Sequence, residues 1–421
     1  MPRQGAYLFM AATIWLVGCS DDGGAQPDAG RDAAPIDRGL SEGPIADGLL
    51  PGDGAAPDGS TSCPRPLGPA DRERFVVIAH PFGASSGAKS PRFEVLSLSA
   101  AGKLATTGVT FDLAAAASDG QIAFTPDGKV GLVALEDGSV GVFSLDAKGE
   151  ATVIHKGLKT AAYASRIVMA PDGQAAYILS SQWRNVGGGV YRVKINCDGT
   201  LTDDGLVAAS KLPYAMVFSG NDALVVARDI LGSKAGDDVH LLATATPWTL
   251  VAGADAFGDD DAIVSFAALT ADGKYLLIAD NNGFSATAGD RIAVVEVGAK
   301  SLTPALVLAP IEDPSSIVTS PHDNAALVLG PIPNAITVLD YTPGGSPIFK
   351  VRGPLATSSK PQLPVDAVMV GRGSLAGRVL ITENTAIRQA QFEASGQVAE
   401  IELFDLGSGS ESIPGAIGIQ P

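Results

Sequence analysis

Apolar and polar positions along this chain fall into a phrase that repeats: a short apolar strand, a polar turn, then a second apolar strand. Ile122-Ala-Phe-Thr-Pro-Asp-Gly-Lys leads into Val130-Gly-Leu-Val-Ala, and Ile167-Val-Met-Ala-Pro-Asp-Gly-Gln leads into Ala175-Ala-Tyr-Ile-Leu. The phrase returns with altered turns at Met216 to Ala227, Phe266 to Ala279, Ile317 to Leu329 and Val368 to Thr382. Its turn markers, Pro126, Pro171, Gly220, Ala271, Pro321 and Gly371, recur about every 50 residues, which is the signature of stacked supersecondary units. Such a unit has room for four strands of ordinary length with their turns. The second strands, such as Leu132-Val-Ala-Leu and Tyr275-Leu-Leu-Ile, are almost continuously apolar, as strands covered on both faces must be. Third strands such as Val190-Tyr-Arg-Val-Lys-Ile alternate, and no segment sustains a helical period with caps.

A seventh unit is divided between the two ends. Pro414-Gly-Ala-Ile-Gly-Ile-Gln-Pro421 matches the inner strands that begin after Pro213, Pro314 and Pro364, and it stops at the turn. The second strand that every other unit carries after its turn has its counterpart near the start of the repeats, at Asp71-Arg-Glu-Arg-Phe-Val-Val-Ile-Ala79. The expected fold is therefore all-β: a seven-bladed β-propeller of four-stranded blades, closed by the C-terminal strand pairing with N-terminal strands. Closure removes exposed edges that would otherwise pair with other chains.

Before the repeats the composition changes. Residues 1–18 read as an export signal, with Arg3 ahead of a mostly apolar stretch from Ala6 to Val17 too short to span a bilayer comfortably. The stretch ends in Leu16-Val-Gly-Cys19, which resembles the lipobox of bacterial lipoproteins and implies cleavage before Cys19 and its acylation. An ordinary signal peptide with a chance cysteine is the alternative. Ser20 comes after the cysteine where an aspartate would imply inner-membrane retention, so the resemblance points to the outer membrane. From Ser20 to Ser62 the chain is Asp, Gly, Ala, Pro and Ser with nine acids and two arginines, too polar to bury a core. Residues 19–66 are thus expected to be a lipidated cysteine with a disordered acidic tether, and residues 67–421 the propeller.

The net charge of −17, with no basic stripe, excludes nucleic acid as a partner. Expected instead are a membrane, through the lipid anchor, and an unknown protein or small-molecule ligand, bound by a monomer. With Cys19 acylated, Cys63 and Cys197 remain in an oxidising compartment, where an even pair usually bonds. Both fall near turns on one face of the disc, which favours a Cys63–Cys197 disulfide over two free thiols.

The Pro-Asp-Gly-Lys phrase, with hairpins Ala101-Gly-Lys-Leu104 and Asp198-Gly-Thr-Leu201, resembles the YVTN and lactonase-like seven-bladed propellers over residues 73 to 421. Kelch and WD repeats fit less well, because no Trp-Asp dipeptide occurs and the Gly-Gly doublets are not periodic. Some members of the lactonase-like group open sugar or muconate lactones and others have no known activity, so fold does not settle function. No local metalloprotein, phosphate-loop or hydrolase-elbow motif is present, and the four histidines lie in different units.

Candidate chemistry gathers on the face where second strands end. The connections to third strands are long there: His80 to Pro91, Ser180 to Gly189, Arg228 to Asp238, Asp280 to Asp290 and Glu383 to Gln397. Long loops on a rigid scaffold commonly carry binding. Asp229, Asp237, Asp238, Asp255, Asp259, Asp260, Asp261, Asp280 and Asp290 form an acidic group that could take Ca²⁺, with solvated loops as the alternative. Trp183 and Arg184 are candidate ligand contacts, or cover for a neighbouring blade. The leading expectation is a lipid-anchored extracytoplasmic binding or interaction module. The alternative is a lactonase-like hydrolase or isomerase at the channel mouth, using Glu383, Asp280 or His80 with Arg166 or Arg228.

Overall fold

The computed structural model describes residues 63–83, 89–118, 122–181, 188–258, 262, 264–281, 290–407, 412–413 and 415–421. Cys19 and the acidic segment, Trp183, Arg184 and Asp259, Asp260 and Asp261 lie outside them. The described residues form seven antiparallel sheets and contain no helix.

Each sheet is one blade, its strands running from the inner to the outer edge. Blade II comprises Ala123–Phe124, Val130–Ala134, Val140–Leu145 and Ala151–Leu158. Blade III begins at Arg166–Met169, blade IV at Leu212–Ser219, blade V at Val264–Leu269, blade VI at Ser316–Thr319 and blade VII at Ala367–Met369. Blade I is the composite. Its second, third and outer strands are Arg74–Gly83, Lys89–Leu98 and Leu104–Asp112. Two C-terminal pieces, Ser412–Ile413 and Ile417–Ile419, pair with Arg74–Gly83 as its inner strand, in a register that sets Val77 opposite Gly418. The ring closes as the divided seventh unit requires.

The recurrent turn has a local cause. Asp127 Oδ1 accepts from the Lys129 N–H at 3.1 Å and the Thr125 hydroxyl at 2.6 Å, while Gly128 takes φ +72°. Asp272 repeats both contacts with Lys274 and Thr270, and Gly273 takes φ +71°. An aspartate closing onto the main chain two residues on, with a residue free to adopt positive φ directly after it, is what the phrase encodes.

Seven hydrophobic layers lie between neighbouring blades, and the second strands feed two layers at once. Leu132 and Ala134 pack toward blade III, whereas Val133 packs toward blade I. Leu224 and Val226 face blade V, and Val225 and Ala227 face blade III. Val76 and Ile78 join Leu380 and Ile387 in the layer between blades I and VII, which completes the circle. Successive side chains point to opposite faces of a strand, so a strand sandwiched between blades needs apolar residues at every position. Each fully buried Leu, Ile, Val or Phe contributes about 1.5–3 kcal/mol by removal from water. Outer strands show the complementary pattern: the one at Leu201–Ala209 is mostly exposed.

Two connections differ from their expected form. The stretch from His80 to Pro91 is shorter as a loop than expected, because its ends belong to the paired strands Arg74–Gly83 and Lys89–Leu98. The stretch from Glu383 to Gln397 is not a long loop, because Ala386–Phe392 is the third strand of blade VII and pairs with Arg378–Thr382. Its buried Arg388 and Gln389 disguise it. Arg388 is satisfied inside the blade by Glu383 and Glu400, so the strand carries a charge where the others carry apolar chains. Cys63 and Cys197 are joined by a disulfide, with their Cα atoms 5.4 Å apart.

Candidate functional site

Inner strands from all seven blades enclose a central cavity of about 530 Å³. Its wall carries Phe124, Met169, Met216, Phe218, Phe266, Ile317, Val368, Met369 and Ile419 among others, and Arg166 is the one charged side chain among the described residues that line it.

Arg166 opens the inner strand of blade III, five residues before the turn marker Pro171. The same offset in the other units falls on Gln121, Ala215, Phe266, Ser316, Asp366 and Ala416. Because the units are equivalent by rotation, these positions form one ring at one mouth of the channel, with Gln121 outside the described residues. Contacts run within this ring. The Arg166 guanidinium lies over the Phe266 ring at 5.6 Å, and the Ser316 hydroxyl donates to Asp366 Oδ1 at 3.3 Å.

Asp366 was absent from the candidates read from sequence. The Ala367 N–H donates to its Oδ1 at 2.8 Å and the Ile417 N–H to its Oδ2 at 3.4 Å, so it bridges blades VI, VII and I. Burial pushes its carboxyl up to about 6 against these hydrogen bonds and the charge of Arg166, which pull the other way. Behind it, Thr382 accepts from the Asp366 N–H at 3.2 Å and donates to the Gly415 carbonyl at 3.0 Å. The signal that would have found Asp366 was present in the phrase Pro364-Val-Asp-Ala: one acid set into the start of an apolar inner strand.

The acids and base expected at this mouth are otherwise engaged. His80 is 3% exposed and its Nε2 lies 3.1 Å from Glu94 Oε2. Asp280 is fully buried and accepts from Arg291 Nε at 2.8 Å. Glu383 takes two hydrogen bonds from Arg388, from Nε at 2.5 Å and Nη2 at 3.1 Å, and a third from the Gln362 N–H. The Arg228 guanidinium donates to the Ala262 carbonyl at 3.0 Å. Of the expected catalytic set, Arg166 alone is among the cavity-lining residues.

The acidic group does not converge either. Among the described residues no three His, Cys, Asp or Glu side chains are gathered to hold a metal ion. Asp229 pairs with Lys211 at 2.7 Å, Asp255 accepts from the Gly258 N–H at 2.6 Å, and Asp290 accepts from the Asp313 N–H at 3.1 Å. Asp237 lies near the Gly253 backbone and the His240 ring. Asp238 accepts from the Ala256 N–H at 3.1 Å, and burial pushes its carboxyl up to about 6, aided by the charge of Asp255. The described aspartates meet separate partners, so the carboxylates that the sequence brings close together are not gathered at one point.

No protein-family model matches the chain, and no curated protein matches it in sequence. Among solved structures it is similar to the periplasmic gluconolactonase of Pseudomonas aeruginosa, with a TM-score of 0.58 and 15% identity, covering 83% of this chain and 99% of that one. It is also similar to a protein from Lactobacillus plantarum, with a TM-score of 0.59, 14% identity and coverage of 83% and 100%. A candidate 6-phosphogluconolactonase from Bacteroides uniformis gives 0.56, 12%, 82% and 99%. At these identities the likeness is one of fold.

Proposed function

We propose that this chain is a lactonase-like hydrolase of the cell envelope, acting on a cyclic ester at the channel mouth formed by Arg166 and Asp366. The observation that carries the reading is this pair: a permanent cation that lines the open central cavity and, on an equivalent position of the same ring, a buried carboxyl raised to about 6. Arginine at such a place stabilises the oxyanion that develops when water adds to an ester carbonyl. A carboxylate with a pKa near neutrality can take a proton from the attacking water and return it to the leaving alkoxide. In that sequence a C–O bond forms from water, the ring C–O bond breaks, and the proton passes through Asp366. Phe266 holds the guanidinium in place by its ring face. The similar fold of a periplasmic gluconolactonase supports the substrate class.

The envelope location rests on the Leu16-Val-Gly-Cys19 phrase and on the Cys63–Cys197 disulfide, which persists in oxidising compartments. The test is hydrolysis of a panel of sugar and alkyl lactones, monitored as acid release. Wild-type protein should turn over at least one of them, and Arg166→Gln and Asp366→Asn should each lose about 100-fold or more in kcat. Full activity in either variant overturns the assignment. A second reading, binding without turnover in the same cavity, is favoured by the locked state of His80, Asp280 and Glu383. It predicts lactone-induced stabilisation with no acid release.

A further inference from the structure

At the opposite end of the ring, where the inner strands finish, the segment leading into Arg74–Gly83 crosses the turn of blade VII. Gly373 permits the crossing: its φ is +79°, and a Cβ there would meet the Ala70 carbonyl oxygen at 2.5 Å. Three arginines meet at this seam. Arg74 is 1% exposed and is tied to main-chain carbonyls, those of Ala70, Arg72 and Arg372. Arg72 Nη2 donates to the Pro421 carbonyl at 3.1 Å.

These bonds leave the cluster unsatisfied. Arg72 Nε, Arg74 Nε, and Arg372 Nε and Nη2 are buried without a hydrogen-bond partner. Among the described residues no Asp or Glu side chain forms an ion pair with any of the three. Asp71 is within electrostatic reach of Arg74, but its carboxylate accepts from the Ser374 N–H at 2.6 Å. Asp127 is within electrostatic reach of Arg72 but pairs with Arg65 at 3.4 Å. Burial, then the charges of the neighbouring guanidiniums, push Arg72 and Arg74 below the usual arginine range. A chain of net charge −17 thus keeps three cations together at one seam. Buried N–H groups without acceptors are costly, and guanidinium forks match tetrahedral oxyanions.

We infer that the seam between blades I and VII binds a phosphate-type oxyanion, held by Arg72 and Arg372 with Arg74 behind them. The site is distinct from the channel mouth and tied to ring closure, since it touches both the segment before Arg74 and Pro421. Bound anion would cancel the repulsion and staple the segment before Arg74 to blade VII.

The test is thermal melting of the full chain in inorganic phosphate against chloride at equal ionic strength, with titration calorimetry for affinity. Phosphate should raise the melting temperature in a saturable way. Arg372→Gln should weaken phosphate affinity by at least about tenfold, the loss of one charge-assisted pair. No described hydrogen bond depends on the Arg372 guanidinium, so in chloride this variant should melt no lower than wild type. Glycerol 3-phosphate distinguishes the source: tighter binding than inorganic phosphate assigns the site to a phosphate ester, and weaker binding to the free ion. A phosphate response equal to that in chloride, or an unchanged response in Arg372→Gln, overturns the proposal.

Discussion

Replacing Asp366 by Asn removes a charge whose cost to the fold can be worked from its surroundings. In the folded ring its carboxyl is raised from 3.8 to about 6, chiefly by burial. A raised acid in the folded state means that the folded protein binds the proton more tightly than the unfolded chain. Wild-type stability therefore falls as pH rises through the window from about 4 to about 6 and is level above it. At about 1.4 kcal/mol per pK unit, a shift of about two units amounts to about 3 kcal/mol lost at pH 7. The amide oxygen of Asn can still accept from the Ala367 and Ile417 N–H groups that Asp366 serves. Asp366→Asn should then match wild type near pH 3.5 and exceed it by about 2–3 kcal/mol at pH 7.5. The comparison also separates Asp366 from Asp238, whose carboxyl is likewise raised to about 6, because that slope is common to both proteins. The assay is denaturant unfolding from pH 3.5 to 8, paired with lactone turnover on the same samples. A variant more stable at neutral pH but inactive would mark Asp366 as a site where stability is given up for chemistry. Parallel stability curves for the two proteins across the window would refute the electrostatic reasoning.

The fold carries three further expected outcomes. Cys197→Ser opens a loop whose ends are 134 residues apart, for which the chain-entropy model gives a loss of about 4–5 kcal/mol at most, checked by melting oxidised and variant protein side by side. Glu383→Ala leaves the fully buried Arg388 with Glu400 as its remaining carboxylate, and should cost about 3–5 kcal/mol in denaturant unfolding. Deleting residues 414–421 removes Ile417–Ile419 and exposes the edge of Arg74–Gly83, so that light scattering should show aggregation and calorimetry a loss of cooperative melting.

Blade number, strand order and closure were all legible in the sequence, and the reason is local. A Pro-Asp-Gly turn is made by consecutive residues, as at Thr125 to Lys129, and an unbroken apolar run such as Leu132 to Leu135 marks a strand with a blade on each side. The one strand misread as loop, Ala386–Phe392, failed for a non-local reason: Arg388 is neutralised by Glu383 before it and Glu400 on the next strand. The site was legible only in part. Arg166 was one of two candidate cations, and His80, Asp280 and Glu383 were candidate acids or bases until the structure buried each against a partner, Glu94, Arg291 and Arg388. Asp366 carried a signal only in comparison with equivalent positions in other units. The sequence by itself determined the repeat, because turn chemistry and side-chain alternation act over a few residues. Only the tertiary structure decided which polar groups share the channel mouth and which are spent inside blades. Arg166, Phe266, Ser316 and Asp366 belong to four different blades, and closing the ring is what brings them into one layer.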